Sequence, residues 1–159
     1  IHYMKILMVC LNNICRSPLA AGILKKILAE KEVSIQVDSA GFEPYHIGQK
    51  PNPRTLSVAK QHGIDLSGHR MRLFKVADFD EYDIIFVMDQ KNYHDVIAMA
   101  RNTTDIKKVN YILNVLSPGQ FKIISDPNYS KDEDFEKIFN QLYEVCNKIA
   151  ERVILQPSE

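Results

Sequence analysis

No apolar run in this sequence approaches the roughly 20 residues that a membrane-crossing helix needs. The N-terminus also lacks the basic-then-apolar pattern of a secretory leader, and Met4, after Ile1, His2 and Tyr3, is expected to be the initiator. Neither sign of charge is in excess, because 20 Lys and Arg balance 20 Asp and Glu. Neither nucleic acid nor a membrane is therefore an expected partner, and any anion site has to be local, built from a few residues. Cysteine is scarce. The chain has three, an odd number with two in one short stretch, which suits reactive thiols in a reducing compartment better than a disulfide framework. A cytoplasmic location is expected. Repeats, low-complexity tracts and long linkers are missing too, and 159 residues at 45% hydrophobic and 25% charged fit one domain.

What is present is an alternation of strands and helices. Lys5 to Val9, apolar after its lysine, and Ile84 to Met88, apolar throughout, are short runs of the kind found in buried central strands. Ala20, Ile23, Leu24, Ile27 and Leu28 mark one buried helical stripe, with Pro18 in its first turn. Ile35 to Ser39 alternates like a half-exposed edge strand, and Gly41 to Pro51 reads as a loop. A helix opens at Asn52-Pro53 and closes at Gly63, and another follows Asp89 as its N-cap with Tyr93, Val96, Ile97 and Ala100 inward. Val109 to Leu113 is a shorter strand. Ser130 and Glu133 form a capping-box pattern for a last helix carrying Phe135, Ile138, Phe139, Leu142, Cys146 and Ile149 on one face. Such alternation predicts an α/β fold, a parallel sheet covered on both faces, over residues 4–155. Ligands of such sheets bind beyond the carboxyl ends of the strands.

The loop after the first strand reads Cys10-Leu11-Asn12-Asn13-Ile14-Cys15-Arg16-Ser17-Pro18. A helix starting at its end directs unpaired N–H groups and a positive dipole end into the loop. Amides wrapped there form a nest for a tetrahedral oxyanion, and Arg16 adds a planar fork for two of its oxygens. The same features favour the thiolate of Cys10, which is then poised to attack phosphorus. Arg16 and the amides stabilise the equatorial oxygens in the transition state, and Ser17 can donate to the sulfur as it departs.

Cysteine and arginine separated by five residues, directly after an N-terminal first strand, resemble the phosphate loop of the low-molecular-weight protein tyrosine phosphatases. That family's loop usually reads Cys-Leu-Gly-Asn-Ile-Cys-Arg-Ser-Pro, and eight of those nine residues stand here. The resemblance implies a single-domain three-layer sandwich around a four-stranded parallel sheet, and hydrolysis of phosphotyrosine and other aryl phosphates. It calls for neither cofactor nor metal. Substrates would be phosphotyrosine proteins or peptides, a tyrosine kinase among the candidates. The resemblance makes Cys10 the nucleophile, Arg16 the transition-state cation and Asp126, in Ser125-Asp126-Pro127, the general acid and then base. Leu11 to Cys15 and Ser17 would bind phosphate; Asn13, Ser39, His69 and Asp89 would support the loop. Tyr45, Asn128 and Tyr129 would line the substrate slot. It further implies that Cys10 and Cys15 can pair reversibly, whereas Cys146 lies on a core stripe.

Two positions depart from the pattern. Asn12 replaces the loop glycine, and if that position needs positive φ, asparagine is the least costly substitute. Asn128 replaces an aromatic, which could cost about 1 kcal/mol of aryl recognition. Three other readings compete. An arsenate reductase would need more cysteines than Cys146. A protein arginine phosphatase typically has threonine where Ile14 stands, and a branched apolar Ile14 suits a phenyl ring better. A phosphate-binding module without turnover is the remaining alternative, although Cys10, Arg16 and Asp126 are all present.

Overall fold

Side chains alternate along Lys5–Val9 (β1), so Ile6 and Met8 face one side of a sheet and Leu7 and Val9 the other, and all four are fully buried. A strand buried on both faces has to be central. In the computed structural model, which describes residues 4–127 and 131–155, β1 lies between Gln36–Ala40 (β2) and Ile84–Val87 (β3), and Val109–Tyr111 (β4) closes the far edge. Every pairing is parallel. The order β2-β1-β3-β4 means that the chain leaves β1 for one side and returns on the other. The switch point therefore falls at the carboxyl ends of β1 and β3, where Val9 is in register with Ala40 and Val87.

Helices cover both faces. Arg16–Glu30 (α1) and Asp132–Leu155 (α6) pack together with Ile6, Met8 and Phe86, and the expected stripes are buried there, Cys146 included, with Phe135 buried outside that cluster. Pro53–Gln61 (α2) adds Val58 and Ala59 to the same layer. On the other face, Asp78–Glu81 (α3) and Gln90–Ala98 (α4) bring Phe79 and Val96 against Leu7, Val9, Ile85 and Val87. The short α3 and Thr103–Lys107 (α5) have no counterpart in the sequence reading, because one turn is too short for a hydrophobic period to register. The fold is the α/β three-layer sandwich expected.

The strand expected to reach Leu113 ends at Tyr111 and turns into a 3₁₀ helix, Ile112–Val115. Ile112 and Leu113 are both drawn into the α1–α6 core, which a strand's alternation could not allow. Asn52 and Asp89 cap α2 and α4 as expected, accepting from Arg54 N and Asn92 N at 2.8 and 2.9 Å. Ser130 lies outside the described residues; at that end Asp134 accepts from Lys131 N at 3.1 Å. Among the described residues, no helix is long and apolar enough to cross a membrane.

Candidate active site

Beyond β1 the chain turns through Cys10 to Cys15 and enters α1 at Arg16. The carbonyls of this turn are engaged from outside. Leu11 O accepts from Phe42 N and Glu43 N at 2.8 and 3.1 Å, and Ile14 O accepts from Asn52 N at 2.8 Å. Asn13 O accepts from His69 Nε2 at 2.8 Å. A trans peptide unit holds its C=O and the next N–H in opposite directions, and none here is cis. Carbonyls drawn outward therefore turn the N–H groups of Asn12, Ile14 and Cys15 toward the concave side. The sequence makes an anion nest by satisfying the backs of its peptides.

Asn13 is the hub of this turn. It sits at φ 53°, a left-handed conformation that asparagine tolerates better than most residues. Its side chain is fully buried; Oδ1 accepts from Arg72 N at 3.2 Å, and Nδ2 donates to Ser17 Oγ at 2.8 Å and Ser39 Oγ at 2.9 Å. Because Arg72 N–H fixes the amide orientation, Ser17 Oγ must accept from Asn13. Its one hydrogen is then directed at Cys10 Sγ, 2.9 Å away. Asn13 N and Ser17 N also donate to the sulfur, at 3.2 and 3.4 Å. Three donors thus converge on Cys10, two of them backbone groups, and one of those belongs to the first turn of α1, which carries no acidic side chain to compete. Gly41 allows the close approach: a Cβ there would lie 2.8 Å from both Asn13 Cβ and Leu11 O.

Arg16 closes the other end. Only 2% exposed, its NH1 donates to Asp89 Oδ2 and to Ile124 O, each at 2.7 Å, and its NH2 lies 3.8 Å from Asp126 Oδ2. Burial disfavours its charge, but the Cys10 sulfur and Asp89 outweigh burial and hold the guanidinium protonated more firmly than usual. Ile124, fully buried, is tied on its other side to Met88 O at 2.8 Å. That tie carries the segment before α6 to the end of β3 and brings Asp126, followed by the buried Pro127, to the rim. His69 is held below the ordinary imidazole range by burial, which exceeds the opposing bond to Asn13 O. It is therefore neutral with the proton on Nε2, which donates to that carbonyl. Cys15 is buried as well, bonded by Thr55 Oγ1 at 3.0 Å, and burial pushes its thiol up to about 12.

The sequence model of the low molecular weight phosphotyrosine protein phosphatases matches residues 5–157. The human protein of that name is 36% identical over 149 residues, covering 92% of this chain and 94% of its own. The chain belongs to this family. A crystal structure of an Entamoeba histolytica protein tyrosine phosphatase is 29% identical, covers 94% of this chain and 96% of that one, and superimposes with a TM-score of 0.87. The YwlE arginine phosphatase of Bacillus subtilis superimposes at 0.84 over 94% of this chain and 95% of its own; at 20% identity it shares the fold alone.

The turn lies together with Ser39, His69, Asp89 and Asp126, and one expectation about its backbone is corrected. Left-handed backbone occurs at Asn13, and Asn12 has no positive φ, so replacing the family glycine there introduces no such strain. His69 and Asp89 act at opposite ends, on the Asn13 carbonyl and on Arg16. Tyr45 is 88% exposed in a 3₁₀ turn, Pro44–His46, carried by the segment that bonds Leu11 O. Asn128 and Tyr129 lie outside the described residues. The sequence reading missed the Arg72 amide, the Ile124 carbonyl and Thr55, since backbone partners and a lone threonine leave no pattern. Among the described residues, no group of three or more His, Cys, Asp or Glu could hold a metal.

Proposed function

We propose that the protein hydrolyses phosphotyrosine in proteins or peptides by two in-line displacements at Cys10. The convergence of Ser17 Oγ, Asn13 N and Ser17 N on the Cys10 sulfur carries this reading, because these donors hold the sulfur in place and can bear its charge as nucleophile and as leaving group. In the first step Cys10 Sγ bonds to phosphorus as the phosphorus–phenolic oxygen bond breaks, and Asp126 gives its proton to that oxygen. In the second, Asp126 takes a proton from water, the water oxygen bonds to phosphorus, and the sulfur leaves with the Ser17 hydrogen bond to steady it. Inorganic phosphate departs and both groups return to their starting states. With NH1 committed to Asp89 and Ile124 O, the other edge of the Arg16 guanidinium serves the equatorial oxygens.

Ile14, buried and branched beside the nest, supports an aryl ester over a phosphoguanidinium substrate, and Tyr45 offers a ring at the rim. Three free cysteines support a reducing, cytoplasmic setting, and a tyrosine kinase is a fitting substrate protein. The test is hydrolysis of p-nitrophenyl phosphate at mildly acidic pH without added metal, with vanadate as inhibitor. Cys10→Ser should abolish turnover, and Asp126→Ala should lower kcat by about 10²–10⁴-fold while vanadate still binds. Binding of vanadate by a wild-type protein without turnover would establish the pseudo-enzyme instead. A phosphoarginine peptide hydrolysed faster than a phosphotyrosine peptide would reverse the substrate assignment.

A further inference from the structure

A cavity of about 650 Å³ opens between α1, Ser39 of β2 and the segment around His69. That volume is in the range of small-molecule sites, about 300–1,000 Å³. Lys25, Lys26, Arg70 and Arg72 line it against Asp38 and Asp65, with Ala21 and Leu66 as an apolar floor. Most of these charges are already engaged. Arg72 is paired with Asp78 at 3.0 and 3.2 Å, and Lys26 Nζ is on His62 O at 2.6 Å. Asp38 accepts from Tyr82 OH and Gln36 Nε2 at 2.7 and 2.9 Å, and Asp65 accepts from Ser67 N within its own turn.

Lys26, like Arg70, is bonded to carbonyl oxygen, and Lys25 and Arg70 are the two cations whose charge acts on His69. Arg70 NH1 donates to two carbonyls, of Ser67 and His69, which orient the guanidinium without compensating its charge. Among the described residues, neither cation has a carboxylate within ion-pair distance. Lys25, Arg70 and His69 all line the cavity, and after burial the two cations are what disfavour a second proton on the His69 ring. An anion held by the two cations would share the cavity with the imidazole, which donates to Asn13 O through Nε2. Ser39, another wall of the cavity, accepts from Asn13 Nδ2.

We propose that this cavity binds a small molecule bearing a phosphate or pyrophosphate group through Lys25 and Arg70, and that occupancy reaches the catalytic turn through His69 and Asn13. An anion there offsets both cations and shifts the imidazole toward taking a second proton at Nδ1, which burial still opposes. A charged imidazole donates a stronger bond to Asn13 O and holds the turn more firmly. The coupling is reciprocal, so an oxyanion in the nest and one in the cavity favour each other.

The experiment uses the whole protein saturated with tungstate, so that the catalytic nest is filled, and titrates inorganic pyrophosphate by calorimetry and by the ¹⁵N imidazole signals of His69. One further site is expected, with His69 moving toward the protonated form. Lys25→Gln with Arg70→Gln, both at exposed positions, should weaken it by about tenfold or more. Absence of heat, or equal affinity in the double variant, which would mean an adventitious ion only, overturns the site. Binding that leaves the His69 signals unmoved overturns the coupling. Neither readout depends on turnover at Cys10, so the outcome is separate from that of the proposed hydrolysis.

Discussion

Replacing Asn13 tests whether the catalytic turn is held by one side chain and one backbone angle. Asn13→Gly removes three hydrogen bonds, to Ser17 Oγ, Ser39 Oγ and Arg72 N, but keeps the left-handed backbone inexpensive. At about 1 kcal/mol net for each buried bond, the loss is about 3 kcal/mol. Asn13→Ala loses the same bonds and must also hold a Cβ at φ 53°, which adds about 1 kcal/mol after allowing for glycine's larger unfolded-state freedom. For a chain of this size, about 2–4 °C accompanies each kcal/mol. Asn13→Gly should therefore melt about 6–12 °C lower and Asn13→Ala about 2–4 °C lower again, read by calorimetry alongside urea unfolding. Turnover of p-nitrophenyl phosphate should fall in both, since the Ser17 hydroxyl is no longer directed at Cys10. Equal stability of the two variants would refute the strained backbone. A loss under about 1 kcal/mol in both would refute the hub itself.

Asp89→Asn keeps an acceptor for Asn92 N but leaves Arg16 without its nearest anion, so α4 should persist while tungstate affinity and kcat drop; removing one partner of a buried pair costs about 3–5 kcal/mol, and Asp126 and Ile124 O keep this case at the lower end. His69 has a depressed pKa in the fold, so the unfolded chain binds the extra proton first as pH falls. Stability from this group is full above the unfolded value of 6.5 and declines as pH drops through the lower folded value. His69→Gln should flatten that part of the urea-midpoint profile against pH, and an unchanged profile would remove His69 as its source. Iodoacetate at neutral pH should alkylate Cys10 alone by mass spectrometry, because burial raises the thiols of Cys15 and Cys146 and keeps them protonated. Early modification of Cys15 would contradict its burial beneath Thr55.

Much of this protein was legible from residue order because its determinants are local. Four apolar residues, a Cys-to-Arg turn and a helix with period 3.6 announce a strand, an anion nest and its N-terminal dipole without reference to the rest of the chain. Partners far apart in sequence could be named only through resemblance. Asp126 reaches Arg16 because Ile124 is tied to both Met88 and Arg16, and nothing in Ser125-Asp126-Pro127 by itself distinguishes a proton donor from a turn. The left-handed residue proved to be Asn13 and not Asn12, since that angle is set by which carbonyls the Phe42, Asn52 and His69 segments pull outward. Ile112 and Leu113 left the strand for the same kind of reason: a core already walled by α1 and α6 had room for both on one side. Sequence by itself determined the α/β order and the Cys10-to-Arg16 turn that follows the first strand, because spacing along one chain carries that information. Tertiary structure alone decided which donors face the sulfur, which residue takes the left-handed angle and which cations lie beyond ion-pair distance of a carboxylate, because those follow from where separate segments meet.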